Sequence, residues 1–148
     1  MGVMIETPAA AQTCDLMASE VVYLCLGTND LIQFLLAVDR PDRSSLRVYD
    51  PFHPAVVRVL KQVQSLVEPT GKPMIVCGEL AADPHSAAVL LGLGFTRLSV
   101  NVGAYPRIKR MIRSVSLADL RVMADGILGM RDRQLIELRV RETLARDI

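Results

Sequence analysis

The chain is poor in aromatic residues and has almost no net charge. Tryptophan is absent, aromatic residues make up 4% of the 148 residues, and the formal net charge at pH 7 is +1. Proteins that bind single-stranded nucleic acid stack its bases on aromatic side chains, and anionic partners select for a basic surface. The composition therefore argues against nucleic acid and anionic membranes as partners.

Long apolar runs and paired cysteines are also missing. No apolar run reaches the ~18 to 20 residues of a membrane-spanning helix. Residues 1–5 are apolar, but Glu6 interrupts them and no basic segment precedes them, which is unlike a secretory signal. The cysteines, Cys14, Cys25 and Cys77, are an odd number at wide spacings, which predicts neither a disulfide framework nor a structural zinc site. We expect a cytoplasmic protein.

The sequence does contain enough apolar residues for a hydrophobic core. Hydrophobic residues make up 51% of the chain and charged residues 22%, which predicts one domain over residues 1–148. Continuous apolar runs predict strands that are buried on both faces. The four such runs are Gly2 to Ile5, Val21 to Leu26, Pro73 to Val76 and Arg97 to Val100.

Segments with helical spacing separate these runs. Pro54 precedes apolar residues at i, i+4, i+7 and i+11, namely Val56, Leu60, Val63 and Val67. Helices are also predicted over residues 8–19, 84–93 and 106–114. Two terminal helices follow, one after the capping-box pattern Ser116 to Asp119 and one over Arg131 to Arg146. Four strand-helix units predict an α/β fold with a parallel sheet and right-handed crossovers.

Polar residues follow each apolar run. Ligands of parallel α/β proteins bind at the carboxyl ends of the strands, so these residues are candidates for a site. They are Glu6 after the first run, Gly27-Thr28-Asn29-Asp30 after the second, Cys77-Gly78-Glu79 after the third and Asn101 after the fourth. We expect them to converge on one face.

Each candidate also has a structural interpretation. Glu6 and Asp30 suit Mg²⁺, which takes a few carboxylate oxygens together with phosphate and water, but they could equally cap helices. Asn29 could donate to an anion or cap the helical run after it. Cys77 could be a partly exposed reactive thiol or a buried structural one.

The remaining candidates are cationic or aromatic nitrogen groups. Arg40 could grip a phosphate or carboxylate with its guanidinium fork, or lie on the surface of the long loop 39–54. His53 and His85 lack partners at metal-ligand spacing, which favours structural roles. Neither a G-x-x-x-x-G-K-[ST] nor a G-x-G-x-x-G motif occurs, which argues against nucleotide binding through those motifs.

Five strings between residues 2 and 113 resemble enzyme I-type phosphoenolpyruvate (PEP)-protein phosphotransferases. They are GVMIETPAA (2–10), LGTNDLIQFLLAVDR (26–40), YDPFHPAV (49–56), VCGELAADP (76–84) and LSVNVGAYPRIKRMIR (98–113). The nitrogen-related branch is the most similar, through LLAVDR and VYDPFHPAV, and the sugar-transport branch stays open. PEP synthases and pyruvate phosphate dikinases share the TND element but usually differ around VDRPD and CGELA.

The resemblance implies a (β/α)₈ barrel that binds PEP and Mg²⁺. In such enzymes a histidine on a separate swivelling domain takes the phosphoryl group and passes it to a histidine-containing phosphocarrier protein, and pyruvate is released. Carried over by position, Glu6 and Asp30 match metal ligands, while Asn29 and Arg40 match residues that contact the PEP phosphate. Cys77 matches the acid/base that protonates the enolate carbon.

The chain departs from the family pattern in one residue and in extent. Ala82 stands where the family more often has glycine. A (β/α)₈ barrel takes roughly 250 residues, so the four units resemble only its C-terminal half, and neither His53 nor His85 lies in the phosphohistidine motif. We therefore expect a PEP-binding half-barrel that is inactive alone and self-associates. The alternative is a non-catalytic binding or dimerisation module.

Overall fold

A parallel three-stranded sheet lies at the centre of the computed structural model, which describes residues 1–38 and 50–145. Its strands are β1 (Gly2–Ile5), β2 (Tyr23–Gly27) and β3 (Met74–Cys77), in the order β1-β2-β3. Three of the four apolar runs therefore form strands as predicted, and the parallel α/β class is confirmed.

The fourth run does not form a strand, which corrects the prediction of four strand-helix units. Leu98 makes an isolated parallel bridge with Val76, in which the Val76 N–H donates to the Arg97 carbonyl at 2.9 Å and the Ser99 N–H to the Val76 carbonyl at 2.8 Å. No described strand pairs with the other side of this segment. The ladder therefore stops after one bridge.

Nine α-helices surround the sheet in the described residues. The first five are α1 (Pro8–Gln12), α2 (Cys14–Ala18), α3 (Thr28–Leu36), α4 (Pro54–Val67) and α5 (Glu79–Ala82). The others are α6 (Pro84–Leu93), α7 (Tyr105–Ser114), α8 (Leu117–Leu128) and α9 (Arg133–Ala145). The two predicted terminal helices are confirmed, whereas the segment 8–19 is two short helices and α5 was not predicted.

Side-chain caps and prolines fix where several helices begin. Thr7 accepts a bond from the Ala10 N–H at 3.1 Å before α1, and Asp83 accepts one from the Ser86 N–H at 2.9 Å before α6. Both helices have proline among their first residues, where the missing N–H costs little. Ser116 precedes α8 without a side-chain cap bond, so the predicted capping box does not form.

The two faces of the sheet differ in burial, which corrects the prediction of strands buried on both faces. One face, here called the covered face, packs against helices and consists of Ile5, Leu24, Leu26, Met74 and Val76. The other, the open face, consists of Met4, Tyr23, Cys25, Ile75 and Cys77, all at least partly exposed. Met4 is 47% and Tyr23 40% exposed.

The terminal helices close the side of the molecule away from the open face. Helix α8 packs so closely on α6 that a Cβ on Gly92 would collide with the carbonyl oxygen of Leu120. Ile136 and Val140 of α9 are fully buried in the same core. Within residues 1–38 and 50–145, no helix has the length and apolar character needed to cross a membrane.

Candidate functional site

Three candidate positions lie side by side where the strands end. In the register of the sheet Ile5 is opposite Leu26, and Gly27 is opposite Cys77, so Glu6, Gly27 and Cys77 form one row across the sheet. We call it the strand-end row. Gly27 leaves room for the glutamate, because a Cβ there would lie 3.2 Å from Glu6 Oε2 and 3.1 Å from Glu6 Cβ. The carboxylate and the thiol therefore share one face, as predicted.

The Cys77 thiol is hydrogen-bonded and protonated near neutral pH. Its Sγ donates to the Leu26 carbonyl at 3.3 Å. Partial burial raises the pKa of this thiol above the ordinary value, and electrostatic interactions with Cys25 and Glu6 raise it further. A thiol with a raised pKa is a poor nucleophile but keeps its proton available for donation.

Thr28 and Asn29 connect the end of β2 to the end of β3. The Thr28 hydroxyl donates to the Cys77 carbonyl at 2.9 Å, and the Glu79 N–H donates to Asn29 Oδ1 at 2.9 Å. Asn29 lies inside α3, whose N-terminal cap is Gly27 without a side-chain cap bond. Its amide therefore binds the first residue of α5 and does not cap α3.

Asp30 and Asn101 occupy different surroundings. Asp30 is exposed in the first turn of α3, where the positive end of the helix dipole favours a carboxylate. Asn101 is exposed, and its Oδ1 accepts a bond from the Ala104 N–H at 2.8 Å. This bond ties Asn101 to the turn before α7, and its convergence with the strand-end row stays a prediction.

Both histidines have structural roles, as the sequence indicated. His53 Nδ1 accepts a bond from the Ala55 N–H at 3.2 Å and caps α4. His85 Nδ1 lies 3.9 Å from a carboxylate oxygen of Asp83 in the first turn of α6. Neither imidazole is part of the strand-end row.

Two of the sequence predictions, the phosphate contact of Arg40 and the metal-binding carboxylate pair, stay predictions. Arg40 and most of the loop 39–54 lie outside the described residues. In the described ranges, no group of three or more His, Cys, Asp or Glu side chains could hold a metal ion. The carboxylate pair Glu6 and Asp30 thus remains a prediction.

Among the described residues, the side chains of the strand-end row lie on the partly exposed face of the sheet. Three clefts lined by described residues lie away from this row. One of about 600 Å³ runs along α7, one of about 570 Å³ lies between α1 and α4, and one of about 370 Å³ lies between α6 and α7.

Two further residues lie near the row: Thr28, a candidate without an individual predicted role, and Ser99, which was not a candidate. Thr28 is fully buried, and only the contact across to β3 distinguishes it from an ordinary first-turn threonine. Ser99 follows Leu98, which bridges Val76, so it continues the strand-end row beyond Cys77 on the exposed side. Alternation within 97–100 was the available signal for Ser99, because Leu98 and Val100 pack on the core.

Comparison with known proteins identifies the family. Residues 1–117 match the family model described as PEP-utilising enzyme, PEP-binding domain. The phosphoenolpyruvate-protein phosphotransferase of Haemophilus influenzae is 43% identical over 128 residues, which are 86% of this chain and 22% of that protein. The one from Priestia megaterium is 38% identical over 130 residues, 88% of this chain and 23% of its own.

A longer relative shows the same partial coverage. The Salmonella typhimurium protein named phosphoenolpyruvate-dependent phosphotransferase system is 36% identical over 124 residues, 84% of this chain and 17% of its own. The chain thus spans less than a quarter of each of these relatives. Because the matched family model covers more than half of the chain, the chain belongs to the PEP-utilising enzymes through their PEP-binding domain.

Proposed function

We propose that this chain provides the PEP-binding half-site of a PEP-protein phosphotransferase. In the complete reaction, the phosphoryl group of PEP moves to a protein histidine and then to a phosphocarrier protein, and pyruvate is released. The observation that carries the proposal is the strand-end row, in which a protonated Cys77 thiol and the Glu6 carboxylate share one open face.

Five residues form the proposed half-site. Glu6 and Asp30 are the metal ligands, Asn29 and Arg40 contact the phosphate, and Cys77 is the proton donor. Cationic and N–H groups around a transferring phosphoryl group offset its negative charge, which is the main catalytic effect available in such reactions. Arg40, ten residues after Asp30, lies outside the described residues.

The donor set fits Mg²⁺. A Cβ at residue 27 would crowd the side chain of Glu6. No cation among the described residues forms an ion pair with the carboxylate of Glu6 or Asp30. Mg²⁺ needs only one or two protein carboxylates when substrate phosphate and water complete its shell. When bound, the ion would offset charge on the phosphoryl oxygens.

Cys77 completes the reaction by a proton transfer. Loss of the phosphoryl group from PEP leaves the enolate of pyruvate, whose C3 must form a C–H bond. The thiol supplies that proton and becomes a thiolate, which regains a proton from water. The raised pKa of Cys77 suits this role, because the group that donates must be protonated when the enolate forms.

The half-site requires a second half for turnover. We propose that residues 1–148 fold as one domain, that the open face is the interior of a (β/α)₈ barrel, and that this chain alone releases no pyruvate from PEP. The phosphoacceptor histidine is proposed to lie outside this chain, since His53 caps a helix and His85 faces Asp83. The cytoplasm is the proposed compartment, because Cys14, Cys25 and Cys77 are unpaired.

Calorimetric titration with PEP in the presence of Mg²⁺ tests the half-site. We expect Mg²⁺-dependent binding by the wild-type chain and none by Asp30→Ala. The matched control is Asp125→Ala, because Asp125 is also an exposed helical aspartate but lies in α8, outside the family match. Absence of binding by the wild type, or equal loss in both variants, would refute the proposal.

A second candidate is a dimerisation module without chemistry. The open face and its unpaired strand edges favour it, because exposed apolar sheet surface promotes association. We expect a homo-oligomer that covers Met4 and Tyr23. Size-exclusion chromatography with light scattering should show a dimer for the wild type and more monomer for Tyr23→Glu, whereas a wild-type monomer at micromolar concentration would exclude this role.

A further inference from the structure

Thr28 has an unusual position for a hydroxyl group. It begins α3 immediately after β2, and its side chain is fully buried. The hydroxyl donates at 2.9 Å to the carbonyl of Cys77, which lies 49 residues later in the chain. The contact is thus made with the backbone of the residue that carries the thiol.

A second bond holds the same segment from the next residue. The Glu79 N–H donates to Asn29 Oδ1 at 2.9 Å, so residues 28 and 29 bind the chain on both sides of Gly78. We call this pair of bonds the Thr28–Asn29 clamp. Together the two bonds fix the orientations of the two peptides that flank Gly78.

The backbone between the two bonds adopts a conformation that needs glycine. Gly78 has φ of +106°, which L-residues with a side chain rarely adopt. A Cβ there would lie 2.5 Å from Thr28 Oγ1 and 2.8 Å from Asn29 Oδ1. The clamp and the glycine therefore fit each other, and the clamp occupies the space a side chain would take.

We propose that Thr28 is a positioning residue for Cys77. The inference rests on the proposed function, in which the thiol donates a proton to the substrate carbon. The Sγ bond to Leu26, at 3.3 Å, is weak because sulfur is a poor donor, so the thiol can leave it for the substrate. The Thr28 bond, at 2.9 Å, holds the Cys77 peptide while the thiol turns.

The alternative is that Thr28 only satisfies its own buried hydroxyl. The two interpretations differ in what removal of the hydroxyl does to the thiol. If Thr28 positions Cys77, its loss lets the segment 77–79 move, which exposes the sulfur. Exposure lowers the pKa of Cys77 from its raised value towards the ordinary one, and a larger thiolate fraction reacts faster with an alkylating agent.

The experiment compares Thr28→Val with Thr28→Ser in the 148-residue chain. Iodoacetamide alkylation of Cys77 is followed by mass spectrometry from pH 6.5 to 10. We expect Thr28→Val to shift the Cys77 alkylation profile to lower pH and to raise the alkylation rate of Cys77 at pH 8 by about fivefold. A decrease of the Cys77 pKa by less than about one unit, together with better access of the reagent to the sulfur, gives a change of this size. Thr28→Ser should stay within about twofold of wild type because it keeps the donor.

Thr143→Val is the matched control. Thr143 is another buried threonine whose hydroxyl donates to a carbonyl, that of Arg139 at 2.9 Å, but it lies in α9. We expect it to leave the Cys77 profile unchanged. If circular dichroism shows that Thr28→Val does not fold, Thr28→Ala takes its place, since it removes the hydroxyl without adding a group next to Gly78.

The outcomes separate this inference from the proposed function. An unchanged Cys77 profile in the folded Thr28 variant, or an equal shift in Thr143→Val, would overturn the positioning role and leave PEP binding untouched. Absence of Mg²⁺-dependent PEP binding by the wild type would refute the proposed function, whatever alkylation shows. A shift of the Cys77 alkylation profile in Thr28→Val that is absent from both Thr28→Ser and Thr143→Val supports the positioning role.

Discussion

The two faces of the sheet come from the same strands but differ in burial and in polarity. The covered face is sealed by helices, with Ile5, Leu24 and Leu26 fully buried. The open face is apolar in its middle, at Met4 and Ile75, and polar at the strand ends. Alternate residues of one strand thus face the core and the exposed surface in turn, so substitutions one residue apart should have different consequences.

Truncation of the covered face should have the largest effect. Leu26→Ala removes a fully buried side chain from the middle strand and leaves a cavity, which is expected to lower the free energy of unfolding by about 2–5 kcal/mol. Met4→Ala on the open face should cost less than about 1 kcal/mol, because Met4 is 47% exposed. Urea unfolding followed by circular dichroism measures both, and equal losses would show that the open face is covered in solution.

A smaller effect is expected where the strand-end row meets the Thr28–Asn29 clamp. Gly78→Ala should destabilise by about 1–3 kcal/mol from its positive φ and the contact with the clamp. Gly71→Ala is the matched control, because Gly71 has φ of +67° but nothing within 4 Å of its missing Cβ. The larger loss of unfolding free energy in Gly78→Ala than in Gly71→Ala measures the steric contact between residue 78 and the clamp. Equal losses would argue against that contact.

The smallest effect concerns the pH dependence of stability. Burial raises the pKa of both Cys14 and Cys77 in the folded chain, so the unfolded chain loses these protons at lower pH. Stability should therefore be fully present below about pH 8.5, the ordinary thiol pKa, and decline as pH rises through it. Urea midpoints between pH 7 and 9.5 test this, and the decline should be smaller in Cys14→Ala/Cys77→Ala.

The sequence predicted elements best where local chemistry decides them. Helix α6 has the predicted bounds, Pro84–Leu93, because Asp83 caps it and Gly94, at φ of +108°, ends it. The strand β1 also has its predicted bounds. The prediction of a strand over residues 97–100 was wrong. Its apolar pattern is strand-like, but only Leu98 pairs with β3, and a strand needs more than one bridge.

The site was predictable in outline but not in its contacts. The parallel direction of the predicted strands alone places Glu6 and Cys77 at one edge of the sheet, because the carboxyl ends of parallel strands meet there. Burial on both faces was wrong, because an apolar run does not reveal what covers each face. The bonds of Thr28 and Asn29 span about fifty residues, a separation at which local patterns carry no signal. The nitrogen-related branch stays a prediction.

The hydrogen-bonded, partly buried thiol of Cys77 also affects how the site tolerates oxidants. Peroxides react with the thiolate, and the sulfenic acid they form can progress to irreversible products. A cysteine that keeps its proton and points it at the Leu26 carbonyl offers little thiolate to attack at neutral pH. The partial burial and the hydrogen bond that keep this thiol protonated therefore also protect its sulfur from oxidative damage.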